Sequence, residues 1–176
     1  MYMKIIAIVY LIDKECLMVC KTSDIPFLRR RATVELMQEF ATYARDHTDD
    51  ARKVFAHRSF QFVIHKRMND CFVFVTDSEY PTKVIYRLTP MLFNNPTREH
   101  IQSVYDQAQN PNDVDQIYSI QQTLDETMVI MHENIDRILE RGEQIDDLVE
   151  RSKSLSESSK MFYKASRRMN RCCHLL

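Results

Sequence analysis

Glycine is almost missing from this chain: Gly142 is the only one in 176 residues. Phosphate-cradling loops need backbone without a Cβ close to the phosphate, so GxxxxGK and GxGxxG nucleotide-binding enzymes are excluded. Tryptophan is absent and there are five prolines. A surplus of positive charge is missing too. Lys+Arg 24 against Asp+Glu 25 leaves a net charge of -1, which excludes a general nucleic-acid binder held by phosphate neutralisation. No apolar run approaches the roughly 20 residues of a bilayer span; the longest, Ile5 to Ile12, is closed by Asp13-Lys14-Glu15 with no small-residue cleavage site, and reads as a buried strand rather than a signal peptide. Of five cysteines, Cys16, Cys20 and Cys71 are scattered and Cys172 and Cys173 are adjacent, which provides no disulfide framework and places the chain in the reducing cytosol. The six histidines are scattered, so neither a Ser/His/Asp nor a Cys/His arrangement can be argued.

What is present divides in two. Residues 4–12 and 16–22 are short apolar runs either side of Asp13-Lys14-Glu15, an antiparallel hairpin. Cys16 and Cys20 share a strand face with Met18 and read as core thiols. Val34, Met37, Ala41 and Ala44, widened by Leu36, Phe40 and Tyr43, recur at helical spacing and predict a helix over 30–46 laid on a sheet. Arg29-Arg30-Arg31 is its solvated start. Residues 53–57, 60–65 and 71–76 read as three more strands, with Met68-Asn69-Asp70 as the last turn. A helix follows Pro81, disturbed by Pro90, and a third begins near Pro96. The order predicts an α+β fold, a five-stranded antiparallel sheet with flanking helices, over residues 1–110.

From residue 111 the periodicity changes. Met131, Asn134, Ile138, Arg141, Ile145, Leu148, Ser152, Leu155, Ser159, Phe162, Ser166 and Met169 step alternately by three and four, and Leu124 and Ile117 extend the seam upstream. This is a coiled-coil repeat, predicting a long C-terminal helix over 111–170. Residues 131–169 as one helix would reach about 60 Å, more than a 110-residue domain of radius about 13 Å can cover, so the seam needs partners. Arg141 interrupts it between Ile138 and Ile145. A guanidinium buried there is tolerated only if hydrogen-bonded, and its donors call for amide or carboxylate acceptors on other helices.

The stretch from Leu124 to Met169, with Ile138-Leu139-Glu140-Arg141-Gly142-Glu143 at its middle, resembles the SNARE motif of R-SNAREs, and the resemblance places Arg141 on the central ionic layer and the other seam residues on bundle layers. The N-terminal order of elements, with Asp77-Ser78-Glu79-Tyr80-Pro81 after the last strand, looks like a profilin-like longin domain. With Cys172-Cys173 near the end, the chain resembles the prenylated longin R-SNAREs of the YKT-six type. That resemblance implies one partner helix each from Qa, Qb and Qc SNAREs, vesicle-mediated transport and membrane fusion without catalysis or cofactor, and a fold-back of the SNARE segment over the longin domain, with Leu36, Met37 and Phe40 as the dock. It also implies a cytoplasmic protein cycling onto the cytosolic face of Golgi, ER, endosomal or vacuolar membranes.

The last residues, 171–176, form a lipidation tail. The final four make Cys173 the thiol for a prenyl transferase, and Leu176 favours geranylgeranyl; Cys172 is the candidate for palmitoyl. The competing reading, a metal held by Cys172, Cys173 and His174, lacks a fourth ligand. Residues 151–171 hold seven Lys/Arg against one acid, whereas 125–150 hold nine acids against two bases, so the basic end adjoins the lipid end and suits an acidic membrane surface. Two rivals are a homo-oligomeric coiled-coil tether, which Arg141 opposes by stacking like charges, and an acyl transferase using a tail thiol, for which no base or oxyanion donor is evident.

Overall fold

The computed structural model describes residues 4–13, 15–21, 30–46, 51–57, 60–111, 114, 131–134, 149–153 and 155–172. Five antiparallel strands form the body of one sheet: β1 (Ile5–Ile12), β2 (Glu15–Cys20), β3 (Ala51–His57), β4 (Phe60–Arg67) and β5 (Asp70–Asp77). Helix α1 (Arg30–Asp46) lies on one face; α2 (Thr82–Asn94) and α3 (Arg98–Gln107) lie on the other. A sixth strand, β6 (Met131–Asn134), joins β3 in parallel, giving the order β2-β1-β5-β4-β3-β6.

The alternation of side chains builds two apolar layers. On the α2/α3 side Ile8, Tyr10, Val63, Phe72 and Phe74 pack with Val84, Ile85, Leu88, Leu92, Ile101 and Val104, closed by Ala108 and Val114. On the α1 side Ala7, Val9, Leu11, Phe55, Ile64, Val73 and Val75 pack with Ala41 and Ala44. A register shift in β1 between Ile5 and Ala7 lets Ile5 and Ile8 face the same layer, as a bulge must.

Two-residue turns close the hairpins at Ile12↔Glu15 and Arg67↔Asp70. Such turns demand a positive φ and normally recruit glycine. Here Asp13 (φ 48) and Met68 (φ 53) fill the role. Pro90 sits inside α2 and cannot donate to the Tyr86 carbonyl; the Thr89 hydroxyl donates there instead, at 3.1 Å, so the helix continues. The same hydroxyl oxygen accepts from His65 Nδ1 at 2.6 Å, the tautomer following from this network.

Cys16 is exposed rather than in the core. β2 is the outermost strand, and Cys16 lies beside the turn, whereas Met18 and Cys20 pack against the α1-side layer. The coiled-coil repeat is not a single rod in this state. Residues 131–134 are extended, 149–151 are helical, 152, 153, 155 and 156 are not, and helix α4 (Glu157–Cys172) resumes afterwards. An amphipathic stripe without partner helices lowers its free energy by burying its apolar side on the nearest apolar surface. An open strand edge likewise gains by pairing. Here α1 and the β3 edge serve both needs.

Candidate functional site: the C-terminal segment on the α1 face

α1 presents Leu36, Met37, Phe40 and Tyr43, each partly buried against the α1-side apolar layer. Phe40 meets Phe62 of β4 edge-on, at 6.1 Å between ring centroids. From the C-terminal half, Val149 and Leu155 are buried in this same layer and Tyr163 packs against it. Ser152 and Ser159 are buried as well. Of the seam residues, Ser152, Leu155 and Ser159 therefore face the domain, with Phe162 half-buried. Met131 and Asn134 lie in β6, while Ser166, Met169 and Cys172 lie within α4. Leu124, Ile138, Arg141, Ile145, Leu148 and Cys173 lie outside the described residues.

The polar centre of the contact is Glu35. Its Oε2 accepts from the Ser156 backbone N–H at 3.0 Å, the Ser156 hydroxyl at 2.7 Å and the Ser159 hydroxyl at 2.6 Å. Its Oε1 accepts from Arg31 Nε at 2.7 Å. Burial alone pushes this carboxyl upward, but the bonds from Ser159, Arg31 and Ser156 outweigh it and hold it down at about 2. Ser156 caps α4. Its carbonyl accepts from Lys160 N–H at 3.1 Å, and its hydroxyl accepts from Ser159 N–H at 3.4 Å. Lys164 pairs with the Glu150 carboxylate, and Lys160 Nζ donates to the Glu150 carbonyl at 3.1 Å, tying the turn at 149–151 to α4.

Sequence reasoning missed Glu35, Val149 and Tyr163. Glu35 reads as a routine i,i+4 partner of Arg31, and its serine donors stand over 120 positions away. Val149 and Tyr163 lie one step off the seam, so the face buried here is the coiled-coil face rotated sideways. The signal available was their apolar character beside Leu148 and Phe162.

A five-stranded antiparallel sheet with one helix on one face, two on the other and a C-terminal coiled-coil segment defines a longin-domain SNARE. The Synaptobrevin family profile matches residues 116–174. The chain is 31% identical over 177 residues to the synaptobrevin homolog ykt6 of Schizosaccharomyces pombe, covering 89% of the chain and 90% of the relative. It is 34% identical over 125 residues to YKT6 of Saccharomyces cerevisiae, covering 60% and 62%. To the VAMP-like protein YKT62 of Arabidopsis thaliana it is 32% identical over 150 residues, covering 77% and 75%. The chain belongs to the Ykt6 family of synaptobrevin homologues. It is therefore an R-SNARE of vesicle trafficking, not an enzyme, and its family works without a cofactor. Among the described residues no His/Cys/Asp/Glu group could hold a metal ion, and no helix is long and apolar enough to cross a membrane.

Proposed function

We propose that this chain supplies one helix, centred on Arg141, to a parallel four-helix bundle with Qa, Qb and Qc SNARE helices, and that its fold-back over α1 and β3 holds that helix in reserve. The observation that carries the reading is double use of the same residues. Ser152, Leu155 and Ser159 are seam positions, yet they are buried against the domain; Met131 and Asn134 are seam positions, yet they belong to a strand. One residue cannot occupy both places, so opening must precede zippering, and the domain sets the fraction of chains ready to assemble.

Cys173 would carry the prenyl group and Cys172 a palmitoyl group. One lipid chain gives marginal, reversible membrane binding and two signals anchor stably; Arg167, Arg168 and Arg171 add attraction to acidic headgroups. Membrane attachment on the Golgi, ER, endosomal or vacuolar surface would follow the second lipid. The bundle reading is tested by mixing the full chain with glutamine-bearing SNARE helices. Arg141→Gln is expected to preserve a heat-resistant complex while altering partner selectivity, and Leu148→Asp to abolish it. Equal tolerance of both changes removes Arg141 from the central layer, and stable self-association would favour the tether.

A further inference from the structure

We infer that Glu35 is a latch: a helix cap supplied by α1 that stabilises the break in the seam before α4, and through that break favours the folded-back chain over the bundle helix. This deepens the fold-back reading and rests on it. Every helix start leaves its first backbone N–H groups without intrahelical partners. Starting α4 at Glu157 creates such a start in the middle of a repeat that would be continuous in a bundle. In an unbroken helix the Ser156 N–H would bond to the Ser152 carbonyl. Here it bonds to Glu35 Oε2, and the Ser156 and Ser159 hydroxyls converge on that same oxygen. The Ser152 hydroxyl accepts from Leu155 N–H at 3.2 Å, satisfying a second donor in the non-helical link.

The carboxylate also faces the positive end of the α4 dipole, where negative charge is favoured. Its side chain is only 19% exposed, so bulk water competes poorly for its oxygens. Bonds from backbone and hydroxyl donors to an ionised oxygen are about twice as strong as neutral ones. Leu36, Met37 and Phe40 beside it explain why an apolar segment settles on α1; they do not explain why α4 starts at Glu157. Glu35 does. Arg31, on the preceding turn, holds the other oxygen and orients the carboxylate toward Ser156.

The test is amide hydrogen exchange on the full chain, comparing wild type with Glu35→Gln and Ser156→Ala, with the β5 amides as the internal reference for intact folding. Glutamine keeps the length and removes the charge. Glu35→Gln is expected to raise exchange of the amides from 156 to 163 by on the order of 10- to 100-fold, as charge-assisted bonds to one oxygen are lost, while β5 stays protected. The double variant should exchange no faster than the more severe single one, because both substitutions break the same bonds. A structural role in α1 alone would not produce that non-additivity. If wild type itself exchanges at 156–163 like a free chain, the fold-back reading falls and the latch with it. If wild type is protected and Glu35→Gln leaves that protection unchanged, the latch is overturned and the fold-back stands on apolar contact alone.

Discussion

Met37→Glu tests the dock from the domain side, which matters because Leu155 and Ser159, on the tail side of the contact, are also seam positions. Met37 is half-buried and packs on the layer that holds Val149, Leu155 and Tyr163. Full burial of a methionine is worth about 1.5–3 kcal/mol, so its share of the contact is about half of that. The introduced carboxylate must either sit against apolar carbon or turn to water and leave the gap unfilled. Together these weaken docking by about 2 kcal/mol, which corresponds to a roughly 30-fold rise in the open population. Helix α1 itself should survive, since glutamate and methionine have similar helix propensity. Residues 151–171 contain seven Lys/Arg, so limited trypsin digestion of that stretch reads the open fraction directly. Bundle formation with Q-SNARE helices should accelerate by a similar factor, while Met37→Leu behaves like wild type. Unchanged digestion, with an intact thermal melt of the domain, would refute the assignment of this face as the dock.

Met68→Gly should stabilise the domain by about 1 kcal/mol, seen as a Tm several degrees higher, because glycine adopts the positive φ of that turn without a Cβ clash. Burial, with Arg52 and Arg67 nearby, lowers His65 to about 4, so the fold favours the neutral ring. Its contribution to stability is complete above the free value near 6.5 and is lost as pH falls from there through 4; His65→Gln should flatten urea-midpoint profiles across that window. Cys172→Ser should leave a prenylated chain that membranes release in high salt, judged by fractionation; pelleting as firm as wild type would place the second signal elsewhere.

Local chemistry made much of this molecule legible in advance. Near-continuous apolar runs in β1, β4 and β5 define strands buried on both faces, and the three-and-four spacing of Val34 to Ala44 yields α1 over the expected residues. The coiled-coil repeat with Arg141 inside it is a property of spacing, and it pointed to the family before any contact was known. Two results depended on tertiary structure. One is the conformation of the repeat: the same residues suit a helix with partners or a strand and a broken helix without them, and local propensity cannot decide between states that differ in what covers the apolar stripe. Strand β6 exists because the β3 edge is open, and nothing within residues 131–134 announces it. The other is the meeting of Glu35 with Ser156 and Ser159. A hydrogen bond across more than 120 residues leaves no periodic trace, so only the packing of α4 on α1 makes a surface glutamate into the cap of a distant helix.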